Sequence, residues 1–207
     1  MKSLSFKSLT LQLEVALSER LPGAKAHRDM NPVRDLTLNG KIVRRAAVLI
    51  VLYKKDDCWT FPLIRRAEDE YVHSGQIALP GGKIEADETA SEAAQREAEE
   101  EIGLPNKGVN IIGELSPITI PVSGFLVNPI IATIDFEPIW KPNPAEVDNV
   151  IPVSISDLHD LNNIRVEQRV FNHKAVQINY FLLQDQKVWG ATAMILNEFR
   201  LVTRFLQ

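Results

Sequence analysis

Four glutamates lie within five consecutive positions of the segment GGKIEADETASEAAQREAEEEIGL, which runs from Gly81 to Leu104. They are Glu97, Glu99, Glu100 and Glu101. The segment is rich in helix-forming residues, and like charges four apart on a helix repel each other by roughly 0.2–0.5 kcal/mol per pair. Acids in the last turns also oppose the helix macrodipole, whose C-terminal end is negative. Because this placement is locally unfavourable, a bound cation is the first candidate for what stabilises it.

Helical geometry separates one of the four glutamates from the others. At about 100° per residue, Glu97, Glu100 and Glu101 share one sector of roughly 100°, whereas Glu99 points away from it. Three small residues lie earlier in or near the same sector: Ala90, Ala93 and Ala94. The acids therefore continue a stripe suited to packing on a sheet, and we expect them to point into a cleft. A solvated acidic face is the alternative interpretation of such a cluster.

The neighbouring residues favour a metal site over a solvated face. Arg96 is four residues from both Glu92 and Glu100, where it can restrict carboxylate rotamers. Gly81 and Gly82 are expected in a loop, and glycine permits a backbone conformation in which a carbonyl approaches an ion. Carboxylates, a carbonyl and water form an oxygen ligand set suited to Mg²⁺ or Mn²⁺. Zinc would prefer His or Cys, which this segment lacks.

The same segment resembles the Nudix box, written G-x5-E-x7-R-E-U-x-E-E-x-G-U with U an aliphatic residue. The matching positions are Gly82, Glu88, Arg96, Glu97, Glu100, Glu101, Gly103 and Leu104. The one departure is Ala98, which is smaller than the aliphatic residue usual at the first U. The resemblance implies a Nudix fold, in which helices flank a mixed β-sheet, and hydrolysis of a nucleoside diphosphate linked to another group.

The resemblance also implies a role for each matching residue. Glu97 and Glu101 would be metal ligands, and Glu100 a ligand or a base. Arg96 would orient the acids, the Gly82 carbonyl would complete the metal shell, and Glu88 would be structural. Outside the box, Glu146 in NPAEVDNV occupies a loop from which several Nudix enzymes supply a further ligand or general base; the alternative is an exposed loop acid.

The residues before the box, PLIRRAEDEYVHSGQIALPGG, are similar to a signature of coenzyme A diphosphatases, L-L-T-x-R-[SA]-x3-R-x3-G-x3-F-P-G-G. The similarity implies hydrolysis of coenzyme A (CoA) or a derivative to 3′,5′-ADP and 4′-phosphopantetheine. Arg65, Arg66 and His73 are the candidate substrate contacts; the alternatives are a solvated arginine pair and a polar loop histidine. Arg65 is a candidate substitute for the basic residue that the signature has at Tyr71. The matching residues are Leu63, Arg66, Ala67, Gly75, Pro80, Gly81 and Gly82, and the departures are Pro62, Ile64, Tyr71 and Leu79.

Two other functions compete with CoA hydrolysis. A Nudix enzyme could instead act on ADP-ribose, a dinucleotide or an oxidised nucleotide, because loops rather than the box set substrate choice in such a fold. A Nudix-fold regulator that binds a nucleotide without cleaving it is a more distant alternative. Loss of box acids would mark such a protein, and here all of them are present.

The order of elements predicts an α+β fold, an α/β/α sandwich rather than a doubly wound parallel sheet. We expect residues 1–40 to form an N-terminal helical extension and residues 41–207 the hydrolase domain. The extension could pack against the domain or form a homodimer contact. Within it, the stretch PGAKAHRDMNPVRD predicts a loop. Helices are predicted at 8–20, 89–102 and 190–205; Thr89 and Glu92 are expected to form a capping box at the start of the second helix, and Gly103 its C-terminal cap. Strands are predicted at 46–53, 59–66, 75–80, 109–118, 128–136, 150–155, 169–173 and 175–183.

Composition narrows the class of protein. A formal net charge of −4 over 207 residues gives no reason to expect binding to nucleic acid or to anionic membranes. The expected partner is a small nucleotide substrate. No apolar run approaches the roughly 18 residues of a membrane span, and the first residues do not form a signal-peptide core, so a cytoplasmic protein is expected. The single cysteine, Cys58, excludes an internal disulfide and is expected to be a small buried hydrophobe.

Overall fold

The computed structural model describes residues 4–31, 43–67, 75–171 and 174–206, so His73 and Tyr71 lie outside the described residues. Two short 3₁₀ helices occupy Leu161–Asn163 and Arg204–Leu206. The α-helices are α1 (Phe6–Ser18), α2 (Ala24–Met30), α3 (Ala90–Ile102), α4 (Ile155–His159) and α5 (Gly190–Val202). The strands are β1 (Arg44–Lys55), β2 (Cys58–Arg66), β3 (Ile77–Ala78), β4 (Gly81–Lys83), β5 (Asn110–Glu114), β6 (Ile118–Ile120), β7 (Phe125–Thr133), β8 (Val147–Ser154), β9 (Ile164–Phe171), β10 (Lys174–Leu183) and β11 (Gln186–Val188).

The larger sheet is mixed and is built around β1. This strand pairs in parallel with β7, from Arg44 opposite Phe125 to Leu52 opposite Thr133, and antiparallel with β2 and β4. The main path runs β3-β2-β1-β7-β5, while β4 joins β1, β6 joins β7 and β8 joins β2. The strands β9, β10 and β11 form a separate antiparallel sheet. The predicted α+β class with a mixed sheet is confirmed.

Helices cover both faces of the larger sheet because β1 is apolar on both of its faces. Side chains alternate along a strand, so Leu49 and Val51 pack with α3, whereas Ile50 and Leu52 pack in the cluster that contains residues of α1 and α5. Two apolar cores therefore lie on opposite sides of one sheet, and α3 is alone among these three helices in packing on its side. This is the predicted α/β/α sandwich.

Three sequence predictions about local structure are wrong. The stretch predicted as a loop contains α2, whose Ala26, His27 and Met30 are buried; contacts with α5 stabilise this helix despite the neighbouring proline and glycine. Gly81 and Gly82, expected in a loop, belong to β4 and pair with β1. Cys58 is exposed rather than buried. Among the described residues, none of the helices has the length and apolar content needed to cross a membrane.

A buried carboxylate on α5 fixes the start of α2. Glu198 accepts hydrogen bonds from the Gly23 N–H at 2.8 Å and the Ser116 hydroxyl at 2.7 Å. Its other oxygen accepts from the Ser116 N–H at 3.2 Å and lies 3.0 Å from His27 Nε2. Burial raises the pKa of Glu198, but these hydrogen bonds outweigh burial and the net pKa is lowered. The ionised form therefore stabilises the fold.

Glu198→Gln is expected to lower the free energy of unfolding by about 1–3 kcal/mol at neutral pH, because the new NH₂ group leaves a buried donor unsatisfied. A lowered folded-state pKa means that the stabilisation is present above the ordinary carboxyl pKa of 4.5 and is lost as the pH falls through the folded value. The difference between variant and wild type should therefore shrink below that pH. Urea unfolding at a series of pH values measures this difference in the free energy of unfolding. The control is Glu14→Gln, at an exposed site on α1, which should change the free energy of unfolding by less than about 0.5 kcal/mol.

Candidate active site

The helix α3 carries the acidic cluster and has well-formed ends. Thr89 and Glu92 form the predicted capping box, and Gly103 ends the helix in the left-handed conformation with φ of 70°. The carbonyls of the last turn are satisfied by the following loop, in which the Asn143 N–H donates to Glu101 O at 2.9 Å. The loop that bears Glu146 is thereby attached to the acidic end of α3.

The three acids predicted to share one face differ in exposure. The Glu101 side chain is 2% exposed, the Glu97 side chain 15% and the Glu100 side chain 55%. Ala94 and Ala98 of the same helix are fully buried against the sheet. The face therefore runs from the core at Glu101 to the rim at Glu100, so only two of the three carboxylates point inward as expected.

Glu101 is a nearly buried carboxylate with two partners. Its Oε2 accepts the Gly81 N–H at 2.8 Å, and Arg66 Nη1 lies 3.7 Å from its Oε1. Burial raises the pKa of Glu101 to about 7, against the lowering effect of Gly81 and Arg66, and the nearby Glu97 and Glu146 raise it further. The ionised form of Glu101 is therefore disfavoured, mainly by burial, and a nearby cation would favour it.

The Glu97 carboxylate lies against the backbone of β4 at Gly82. This close contact is possible because residue 82 has no side chain. A Cβ atom on Gly82 would overlap the Glu97 carboxylate. Burial raises the pKa of Glu97; Arg96 lowers it, and Glu100 and Glu146 raise it. Because Glu146 affects the pKa of both Glu97 and Glu101, the structure brings this loop acid to the same cluster.

Arg96 connects the acids to the strand before the helix. Its Nε and Nη2 donate to the two oxygens of Glu88 at 2.9 and 3.1 Å, and Nη2 also donates to Lys83 O at 3.0 Å. Its Nη1 donates to Glu97 at 3.0 Å and Glu100 at 3.2 Å. The predicted pairing with Glu92 is wrong, because Glu92 is engaged in the helix cap; Glu88 takes that place.

The two arginines at the end of β2 point to different partners. Arg66 faces Glu101, as described above, whereas Arg65 Nη2 donates to Gln186 Oε1 of β11 at 2.8 Å and Nη1 lies 3.4 Å from Asp148 Oδ2. Adjacent strand residues point to opposite faces, so the structure brings only Arg66 to the acidic cluster. Arg65 joins the larger sheet to the smaller one.

One residue that contributes to the cluster was not singled out from the sequence. Asn143 donates through Nδ2 to Glu146 Oε1 at 3.2 Å, and its Oδ1 accepts the Ala145 N–H at 3.2 Å. It thus shapes the turn and orients the acid. The dipeptide Asn-Pro at 143–144 is a turn signal, but only the fold shows which acid the turn presents.

The donor set fits a hard divalent cation. Carboxylate oxygens of Glu97, Glu101 and Glu146 and the Gly82 backbone are of the type that Mg²⁺ and Mn²⁺ prefer. Burial is the main cause of the raised pKa values of Glu97 and Glu101, and neighbouring acids add to it, so a bound cation would favour their ionised forms. Within the described ranges, no three His, Cys, Asp or Glu side chains are already arranged as a metal site. Arg96 and the Gly81 N–H occupy carboxylate oxygens that a cation would otherwise contact.

Known proteins share both sequence and fold with this chain. Residues 43–174 match the NUDIX domain. The chain is 33% identical over 165 residues to an uncharacterized Nudix hydrolase, NudL, of Pectobacterium atrosepticum, covering 76% of this chain and 82% of that protein. A NudL protein of Photorhabdus laumondii is 33% identical over 159 residues, with 75% and 82% covered. The crystal structure of RenU, a Nudix hydrolase of M. smegmatis, superposes with a TM-score of 0.57 at 20% identity, covering 81% of this chain and 90% of that one.

Proposed function

Because this chain belongs to the Nudix hydrolase family, we propose that it hydrolyses the diphosphate of coenzyme A or a CoA derivative to 3′,5′-ADP and 4′-phosphopantetheine. Members of the family hydrolyse nucleoside diphosphate derivatives and generally use divalent metal ions. The CoA assignment rests on the residues before the box, from Arg65-Arg66-Ala67 to Pro80-Gly81-Gly82. Their spacing is that of the CoA diphosphatase signature, and Tyr71 is the main departure.

The position of Arg66 supports recognition of a substrate phosphate. Its guanidinium lies beside the innermost acid of the cluster and retains 38% of its side-chain exposure, so it can meet a substrate phosphate. Guanidinium groups pair well with phosphate oxygens through two parallel N–H donors. Arg65 is engaged by Gln186 and Asp148, and a phosphate contact from it would have to replace one of these partners. Arg66 is therefore the principal candidate for phosphate recognition.

The proposed roles follow the geometry. Glu97, Glu101 and the Gly82 carbonyl would hold Mg²⁺ or Mn²⁺, with Glu100 at the rim as a further ligand. When bound, the cation supplies charge neutralisation at the diphosphate and lowers the pKa of water. Arg96 keeps the carboxylates in place through its contacts with Glu88 and Glu97.

The reaction needs a group that takes a proton from the attacking water. Glu100 and Glu146 are the two candidates, because both lie close enough to the buried acids to affect the pKa of Glu97. Hydrolysis forms one P–O bond to the water oxygen and breaks one P–O bond of the diphosphate. The water proton passes to the base, and the leaving phosphate departs with the bridging oxygen.

The deciding experiment incubates purified protein with Mg²⁺ or Mn²⁺ and a panel of CoA, ADP-ribose, NADH and oxidised dGTP, and identifies the products by mass. CoA should give 3′,5′-ADP and 4′-phosphopantetheine, and EDTA should abolish the reaction. Ready turnover of ADP-ribose with CoA left intact at millimolar concentration would disprove the CoA assignment. In that case, the broader assignment as a metal-dependent diphosphatase would still stand.

Arg66→Ala is expected to raise KM for CoA about tenfold to a hundredfold, because a charge-assisted hydrogen bond contributes roughly 1.5–3 kcal/mol. Hydrolysis of ADP-ribose should change less if Arg66 reads a phosphate that only CoA carries. Steady-state kinetics on both substrates measures the effect. Arg28→Ala, on the exposed side of α2, is the matched control and should behave as wild type. If Arg66→Ala reduced hydrolysis of CoA and ADP-ribose equally, specific recognition of CoA by Arg66 would be contradicted.

A further inference from the structure

The strand β9 lies at one end of the three-stranded sheet, whose order is β11-β10-β9. One edge of β9 pairs with β10 from Ile164 opposite Phe181 to Phe171 opposite Lys174. No strand within the described ranges pairs with its other edge. Such an edge presents a row of backbone N–H and C=O groups that can pair with a strand of another chain.

The free strand also exposes large apolar side chains. Val166 is 57% exposed and Val170 is 73% exposed. Their separation of four residues places them on the same face of the strand, with Gln168 between them, because side chains alternate with a period of two. Natural edge strands usually avoid such exposed valines by carrying lysine or proline. This combination of a free edge and an apolar face favours a partner strand.

The opposite face of β9 carries paired charges. Glu167 accepts a hydrogen bond from Arg169 Nε and another from Lys187 Nζ of β11. Arg169 also lies over the Trp189 ring, with 4.4 Å between the guanidinium carbon and the ring centroid. Glu167 and Arg169 are therefore two residues apart on one face, and both side chains remain partly exposed.

The sequence Val166-Glu167-Gln168-Arg169-Val170 is complementary to itself in the antiparallel direction. When two copies pair with Gln168 opposite Gln168, each Val166 faces a Val170 and each Glu167 faces an Arg169. One face of the pair then contains four valines, and the other contains alternating charges. Cross-strand apolar pairs and opposite charges each contribute roughly 0.2–1 kcal/mol, so the two valine pairs and the two charge pairs are each favourable in this register.

We propose that β9 is the interface of a homodimer, in which two copies pair antiparallel along this edge with Gln168 on the two-fold axis. The interface is isologous, as a two-fold dimer requires, and it joins the two three-stranded sheets into one continuous sheet. It covers the exposed valines of both copies. The second copy of the chain is the partner because the register that matches valine with valine also matches acid with base.

Molecular mass in solution tests the interface. Light scattering after size-exclusion chromatography should give close to twice the chain mass of 23.2 kDa for wild type and the chain mass for Val166→Lys, because lysine on an edge strand opposes pairing. Val122→Lys, at a valine that is 89% exposed outside β9, should leave the dimer intact. A monomeric wild type at high micromolar concentration, or a dimer that survives Val166→Lys, would overturn the proposal.

Disulfide trapping tests the register. In a Cys58→Ser background, Gln168→Cys should form a covalent dimer on mild oxidation, because directly opposed residues have Cα atoms roughly 4.5–5.5 Å apart, within disulfide range. Val170→Cys should not, because its copies would lie four residues apart along the strands, about 13 Å at 3.3 Å per residue. Efficient trapping of Val170→Cys with none for Gln168→Cys would refute this register.

Charge exchange is an independent test of the same register. Glu167→Arg alone would place Arg opposite Arg169 and should weaken dimerisation at least tenfold. The double variant Glu167→Arg/Arg169→Glu restores opposite charges across the axis and should recover most of the loss. Both variants are compared in a Lys187→Gln background, because Lys187 contacts Glu167 within the same copy. Failure of the double variant to dimerise better than the single one would contradict the proposed Glu167–Arg169 pairing between copies.

Discussion

Glu101→Gln is expected to reduce turnover by about 100- to 1,000-fold, the loss typical of removing a central electrostatic group from an active site. The amide preserves the shape of the side chain and can still accept the hydrogen bond from the Gly81 N–H. It cannot carry the negative charge that the proposed cation requires. Steady-state kinetics at saturating Mg²⁺ measures the loss, and thermal unfolding should show that the variant remains folded.

Glu99→Gln is the matched control for that prediction. Glu99 lies on the same turn of α3, but it is exposed and its carboxylate accepts a hydrogen bond from Asn106, away from the cluster. Its replacement should leave turnover nearly unchanged. If both variants lost activity equally, the acids would act through the general charge of the helix, and the assignment of one face as the site would be wrong.

Gly82→Ala is expected to reduce kcat/KM by about 100-fold, the scale of loss caused by a displacement of about 1 Å in a catalytic arrangement. The added Cβ would occupy the position of the Glu97 carboxylate, so Glu97 must leave its place beside β4. The backbone of Gly82 is not in a conformation that requires glycine, and the fold should tolerate alanine. Activity should therefore fall far more than the unfolding temperature.

Gly113→Ala separates this effect from the general consequence of replacing a strand glycine. Its added Cβ would meet the Leu17 Cδ1 atom at 3.1 Å, the end of a flexible side chain that can move by a few tenths of an ångström. Gly113 lies on β5, which packs against α1 rather than against the acidic cluster. Kinetics close to wild type is expected for this variant, and a loss equal to that of Gly82→Ala would contradict the steric explanation.

Local signals in the amino-acid sequence were sufficient to predict several elements of this protein. The capping pair Thr89 and Glu92, together with Gly103 after the last turn, fixed the limits of α3 to within one residue. Helical periodicity selected the acids that share a face, and the apolar run rich in Val and Ile at 46–53 predicted β1. These features depend on residues within a few positions of one another, so no knowledge of the fold was needed.

Other features depend on residues that are far apart in the chain and are set by how the elements pack together. The partner of Arg96 is Glu88, eight positions away across the β4–α3 connection, rather than Glu92 on the same helix. Arg65 and Arg66 were both candidate substrate contacts, yet of the two only Arg66 faces Glu101, because the strand alternates and Gln186 of β11 accepts a hydrogen bond from the other arginine. The helix α2 forms in a stretch with loop composition because the buried Glu198 satisfies its N-terminus and α5 covers its apolar side. Hydrogen-bond partners and burial are set by packing between segments far apart in the chain, and local residue patterns carry no information about that packing.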